Sequence, residues 1–277
     1  MRGWLWPAFG GNRESDRGVP APVAPKRDRA LERAIRRGHI ELRFQPQIEP
    51  ATGRIAGVEA LARWSEVECP EQLFARAAAV GLSERLSRFV QRKALQTFAR
   101  WNGPLGELRL SINLLPRDLD RPGYEQWLLA EVAAAGLKPE QITAEIVESS
   151  LVADSLEVAG RLARLRAAGI RIAIDDFGTG YSSLAYLASL PLDAIKIDRA
   201  MIADIVGGSR DRIVVKAMIR LARELGLKVI VEGVENLAQL HLLEEWGCDL
   251  YQGFLGAAPL DQAELARFVA AAERSAA

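Results

Sequence analysis

The chain has 277 residues, and 36 lysines and arginines balance 36 aspartates and glutamates, so its formal net charge is zero. That balance argues against a nucleic-acid coat or a polybasic membrane binder, and 49% hydrophobic with 26% charged residues suits a soluble globular protein of one or two domains. Apolar runs fall short of the roughly 18 residues a bilayer-spanning helix needs, MRGWLWPAFGG is too short for a signal peptide, and Cys69 and Cys248 lack CxxC spacing. The expectation is a cytoplasmic chain with no integral membrane segment, no nucleic-acid polymer as partner, and neither a disulfide framework nor a cysteine zinc site.

Residues 1–28 mix Gly, Pro and Arg and are expected to form a flexible tail, with one barrel domain over 29–277. Order is expected to begin with the helical stretch DRALERAIRRG. Strand-like runs follow as RFQPQIE near 43 and IAGVEALARW from 55, then the amphipathic helix SERLSRFVQRKALQTFARW. LRLSINL from 108, YEQWLLAEVAAAGL, ITAEIVES from 142, LEVAGRLARLRAAG and IRIAIDDF from 170 continue the alternation of strand and helix. AIKID from 194, DRIVVKAMIRLARELG, KVIVEGV from 228, LAQLHLLEEWG and LYQGF from 250 complete it. Strands joined by crossover helices, eight in all, predict an α/β protein of the (β/α)8 barrel type, which takes about 250 residues. A doubly wound open sheet is the competing fold, but no GxGxxG or GxxxxGK[ST] follows an early strand.

Polar residues fall at or near the strand ends: Glu59, Asn113, Glu145, Asp175, Asp176 and Glu232. In a barrel those ends converge on one mouth. Carboxylates sharing that mouth stay ionised together only if cations neutralise them. His39 and His241 lie away from the strand ends, so the donors are oxygens, which suit Mg2+ or Mn2+ better than Zn2+ or Cu2+. Adjacent Asp175 and Asp176 would normally face opposite sides, but a turn at the strand end lets both reach the cavity. One carboxylate could then bridge two metals, an arrangement that activates water for in-line displacement at phosphorus. Lys196, alternating with Ile195 and Ile197, is expected to point into the mouth and orient a water or meet phosphate charge; an ion pair with an acid such as Asp198 is its structural alternative. After Asp176, Gly178 and Gly180 give backbone freedom and Ser182 and Ser183 can cap the next helix, marking a shaped loop.

Together these residues resemble the EAL domain phosphodiesterases, which hydrolyse the bacterial second messenger cyclic di-GMP. Glu59-Ala60-Leu61 with Arg63 matches the signature, joined by FQPQ at 44–47, SIN ending at Asn113, EIVES from 145, DDFGTGYSSL from 175, KID from 196, EGVE from 232 and YQGF from 251. The resemblance spans about residues 30–265. It implies a modified TIM barrel whose first strand, near 43, is antiparallel, which amends the all-parallel reading. It further implies that Glu59, Asn113, Glu145 and Asp175 hold one metal and that Asp175, Asp176 and Glu232 hold a second. Lys196 would contact the attacking water, placing it with Glu232, Glu59 and Glu148 in the catalytic set. Glu148 would fix the DDFGTGYSSL loop, which in the family contributes to a dimer interface, so a homodimer is expected. Gln45, Arg63, Asp198, Glu235 and Gln252 would contact substrate or order its surroundings. The implied reaction opens cyclic di-GMP to linear pGpG by a water activated between two Mg2+ or Mn2+ ions, lowering the second messenger in bacterial signalling. The chain departs from the family after Trp64, where SEVECPEQLF shortens a loop, and at QGFLGAAPL, where small residues replace an aromatic and a basic one. The altered loop after Trp64 leaves a non-hydrolysing cyclic di-GMP receptor or protein-interaction module as the alternative, while the small residues of QGFLGAAPL bear on affinity at the rim; another metal-assisted barrel enzyme, such as an enolate-forming one, is a third.

Overall fold

The computed structural model describes residues 27–148, 155–178, 187, 190–208 and 210–276. The expected tail therefore lies almost wholly outside the described residues. In chain order the elements are helix α1 (Arg29–Arg37), strands β1 (Glu41–Ile48) and β2 (Ile55–Arg63), helices α2 (Pro70–Ala79) and α3 (Ser83–Phe98), and strand β3 (Arg109–Leu114). Helices α4 (Pro116–Leu119) and α5 (Tyr124–Ala134), strand β4 (Ile142–Val147), helix α6 (Ser155–Ala167), strands β5 (Arg171–Phe177) and β6 (Ala194–Ile197) and helix α7 (Arg199–Ile202) follow. Helix α8 (Arg210–Glu224), strand β7 (Lys228–Val231), helix α9 (Leu237–Trp246), strand β8 (Leu250–Tyr251) and helix α10 (Gln262–Ala276) complete the chain.

The strands close in sequential order into an eight-stranded barrel. Strands β2 to β8 run parallel, while β1 is antiparallel to both β2 and β8. This is the modified TIM barrel that the resemblance implied. The long β1–β2 pairing sets Gln45 opposite Glu59, so their side chains share one face of the sheet. Strand β1 meets β8 only at Ile48 and Tyr251, and Phe44 and Leu260 exchange backbone hydrogen bonds of 2.7 and 2.9 Å in a further antiparallel bridge. That bridge gives the free edge of β1 its partners. The last strand is shorter than LYQGF suggested because Gly253, at φ 154°, lets the backbone turn against Val234.

Alternation along the strands separates two environments. Outward-facing Ile112, Ile146, Ile174, Ile195 and Ile197 are buried against the helices in the principal core. Full burial of each such side chain contributes about 1.5–3 kcal/mol. Inside the barrel, Ala173, Ala194 and Ile230 form a small separate apolar cluster with Leu250 packed on it. It lies beneath the polar mouth. The helices carry local signals that set their ends: Asp28 accepts from the Ala30 and Leu31 N–H groups to cap α1, and Gly38, in the left-handed region at φ 75°, ends it. Asn236 and Gln239 form a capping box on α9.

Candidate active site

At the mouth, β2 contributes Glu59, β3 Asn113, β4 Glu145, β5 Asp175 and Asp176, and β6 Lys196, while Glu232 follows β7 and Gln252 follows β8. The structure thus brings together all six expected metal-site residues, with Lys196 at their centre. Lys196 is fully buried, and its Nζ lies 2.7 Å from Glu232, 2.8 Å from Glu145, 3.0 Å from Asp175 and 3.2 Å from Glu59. The suggested Lys196–Asp198 pair does not form. Strand β6 ends at Ile197, and Asp198 instead caps α7 through the Ala200 N–H at 2.9 Å.

Two constellations of carboxylate oxygens each lie within 4.8 Å of one another: Glu59 with Glu145 and Asp175, and Asp175 with Asp176 and Glu232. Asp175 belongs to both. The expected turn at the strand end takes the form of a register shift between Ile174 and Phe177, with Asp176 in the left-handed region at φ 56°. Short polar side chains tolerate that region better than most, and it brings both aspartates to the same cavity. The Asp176 N–H donates to Asp175 Oδ1 at 3.0 Å. Asn113 donates to Glu59 at 2.8 Å, and Gln252 bridges Glu59 and Glu232 at 2.8 and 2.9 Å.

The electrostatics show a site short of positive charge. Burial would raise the Glu59 carboxyl, but Lys196, Gln252 and Asn113 outweigh it and hold this group below its usual range. Glu145 is pushed well above that range by burial first, then by Glu59 and Asp175. Burial, with Asp175 and Glu59 adding repulsion, raises Glu232 to about 7. Asp176 is raised by burial and by Asp175. Burial alone would depress Lys196, yet the four carboxylates around it hold it firmly protonated. Five carboxylates around one ammonium leave a formal charge of −4 when all ionise, which two divalent cations would offset. The all-oxygen donor set and the shared Asp175 fit a pair of hard divalent ions.

Around this centre, Glu148 is buried and accepts from the Gly178 N–H at 3.0 Å, a contact that ties the end of β4 to the start of the loop after β5. The remainder of DDFGTGYSSL, from 179, lies outside the described residues. Gln45 reaches the Ala257 carbonyl at 3.4 Å. Half-buried Arg63 donates to the neighbouring Ala62 carbonyl and borders a cavity of about 410 Å3 shared with His39, Arg43 and Trp64. The Glu235 backbone N–H donates to Gln239, at the capped start of α9. Gly256, among the small residues of QGFLGAAPL, has a packing reason: an added Cβ would come within 2.6 Å of Ile48.

Two residues that sequence reasoning passed over support the site. Gln47 is buried, and its amide reaches Ser111, Glu145 and Gln252 at 3.3–3.4 Å. Its two-residue offset from Gln45 was the available signal. Gln91, buried in α3, donates to the Asn113 carbonyl at 3.0 Å and to Asp118 at 3.2 Å and accepts from Tyr124 at 2.9 Å. Ser83, Ser87 and Gln91 recur every four residues on a buried helix face, a polar stripe that marks an internal network.

Comparison with known proteins places this geometry among relatives. The EAL domain family model matches residues 28–259. The cyclic di-GMP phosphodiesterase NbdA of Pseudomonas aeruginosa is 37% identical over 246 residues, covering 87% of this chain and 31% of that protein. An uncharacterized protein of Azorhizobium caulinodans is 40% identical over 225 residues, covering 78% of this chain and 31% of its own length. The chain thus spans about a third of the curated relatives it matches. Among solved structures, the PaMucR phosphodiesterase in complex with c-di-GMP superposes with a TM-score of 0.80 at 34% identity, covering 85% of this chain and 97% of that one. Klebsiella pneumoniae BlrP1 in a manganese and cyclic di-GMP complex gives 0.72 at 34% identity, covering 80% and 56%.

Proposed function

Because the chain belongs to the EAL domain family, we propose that it is a metal-dependent phosphodiesterase that hydrolyses cyclic di-GMP to linear pGpG, using two Mg2+ or Mn2+ ions per site. The observation that carries this reading is the pair of carboxylate constellations joined through Asp175 around a buried lysine. Glu59, Asn113, Glu145 and Asp175 would hold one ion, and Asp175, Asp176 and Glu232 the other. When bound, such ions lower the pKa of water and stabilise charge on the phosphoryl and leaving oxygens.

The chain's own residues supply the rest. Lys196 orients the attacking water through its Nζ and meets charge developing on the phosphoryl oxygens. Arg63 and Gln45 hold the cyclic dinucleotide at the rim, with Asp198 and Glu235 ordering its surroundings and Gln252 keeping Glu59 and Glu232 in place. Glu148 holds the loop after β5 through the Gly178 N–H, which keeps Asp175 and Asp176 aimed at the cavity. Water oxygen bonds to phosphorus as the bond to one ribose 3′-oxygen breaks, and a proton from the water ends on that leaving oxygen. The product therefore keeps one 5′-phosphate.

The homodimer belongs to the same proposal. Helix α8 exposes Ile213 and Val214, with Val206 exposed just before it, and the same helix sends Met218 to within 2.9 Å of where a Cβ on Gly178 would stand. An apolar surface and the Glu148-held loop are thus neighbours. Purified Glu59→Gln and Asp175→Asn variants test the metal assignment. Both should fold and lose hydrolysis of cyclic di-GMP with Mn2+; turnover near that of the parent in either would overturn it.

A further inference from the structure

The opposite end of the barrel collects positive charge. Arg54 precedes β2, Arg109 opens β3, Arg171 opens β5 and Lys228 opens β7. Arg109 shares its side of β3 with Ser111 and Asn113, and Arg171 shares its side of β5 with Ala173 and Asp175, so both guanidinium side chains leave their strands on the inner face. Gly57, paired with Arg109, clears the floor for them: a Cβ there would lie 3.3 Å from Arg109 Cβ and 3.2 Å from Gln47 Oε1.

Counter-ions are unevenly shared at this floor. Glu49 serves Arg54, Asp249 serves Lys228, and Asp193 serves Arg166 and the Ile172 N–H. Neither Arg109 nor Arg171 makes an ion pair among the described residues. Arg171 Nη1 is buried and has no hydrogen-bond partner. Partial desolvation, and then the nearby charges of Arg171 and Arg54, lower the Arg109 pKa, although its side chain stays exposed and charged. Two neighbouring unpaired guanidiniums, one with a buried idle donor, form an arrangement that an anion stabilises.

We propose that Arg109 and Arg171 hold a small doubly charged oxyanion of the phosphate class at the barrel floor. Two planar forks of N–H donors match tetrahedral oxyanion geometry, and a dianion neutralises both cations where a halide would leave one unanswered. Thr143, paired with Arg171 on β4, adds a hydroxyl on the same inner side. Arg171 borders a solvent-open cavity of about 510 Å3, whose acids are Glu140 and the already engaged Asp193. Arg171 lies four residue steps before Asp175 along β5, roughly 13 Å of rise, so this site is distinct from the carboxylate mouth.

The test is calorimetric titration of the full chain with orthophosphate at constant ionic strength, in chelator so that no divalent ion at the mouth recruits phosphate. A parallel titration with a nucleoside 5′-monophosphate separates free phosphate from a phosphoryl group carried on a larger molecule, and saturable 1:1 binding of either supports the site. Arg109→Gln and Arg171→Gln should each weaken binding at least about tenfold, and the double variant should abolish it. Arg109 is exposed, so its variant keeps the test valid should Arg171→Gln fold poorly. Absence of saturable binding by the parent, or binding unaltered in the double variant, would overturn the proposal. The outcome is independent of hydrolysis at the mouth.

Discussion

Replacing Lys196 with methionine removes the cation that, among the described residues, pairs with buried Glu59, Glu145 and Asp175 and half-buried Glu232 at 2.7–3.2 Å, while nearly preserving side-chain volume. Breaking a buried charge cluster by deleting one partner costs about 3–5 kcal/mol, because the remaining charges stay desolvated without compensation. In a domain of this size about 1 kcal/mol moves the melting midpoint by about 2–4 °C, so in chelator the Lys196→Met midpoint should fall by about 6–20 °C. Divalent cations replace the missing charge. Mn2+ at about 100 times its Kd stabilises any native site by about 2.7 kcal/mol, and the variant should gain more midpoint from it than the parent does. The assay is differential scanning calorimetry of both proteins with chelator and with Mn2+, with Lys196→Arg as the variant that retains the charge. A Lys196→Met midpoint equal to that of the parent in chelator, or equal Mn2+ shifts in the two proteins, would refute the view that Lys196 is the counter-ion of the metal-free mouth.

Three further outcomes are expected. The fold raises Glu232 from 4.5 to about 7, so it favours the protonated form: the associated stability is complete below pH 4.5 and is lost as pH rises through about 7. In chelator, Glu232→Gln should therefore flatten the decline of the melting midpoint across that window, and an unchanged slope would contradict the assignment. Gln91→Leu removes the donor to the Asn113 carbonyl and should weaken Mn2+ binding by about 10–100-fold in a calorimetric titration, whereas unchanged affinity with lowered stability would make Gln91 purely structural. Ile213→Asp places a charge on the exposed apolar face of α8 and should convert the proposed homodimer to folded monomer in analytical ultracentrifugation; a persistent dimer would move the interface elsewhere.

Much of this architecture was legible because strand alternation is a strict rule. Lys196 between Ile195 and Ile197 has one apolar-lined side and one inward side, and the structure buries it inside. The same period places Glu59, Asn113 and Glu145 at one mouth once closure is assumed. The antiparallel β1 came only from family resemblance, since hydrophobic pattern carries no strand direction. Asp175 and Asp176 illustrate an intermediate case: alternation would separate them, and the register shift with Asp176 at φ 56° reunites them. The local pattern allows that turn without dictating it. Gln91 shows the remaining limit, because its role depends on a helix docking against the end of β3, a long-range contact that no local spacing encodes. Asp198 shows the converse, where nearness in sequence suggested a pair that the end of β6 prevents.

The most direct test of the account is incubation of the purified protein with cyclic di-GMP and Mg2+ or Mn2+, alongside a chelator control, with chromatographic separation of products. Metal-dependent conversion to linear pGpG, abolished by chelator, is the expected result. Binding of cyclic di-GMP without any turnover in either metal would contradict it and identify the barrel as a receptor.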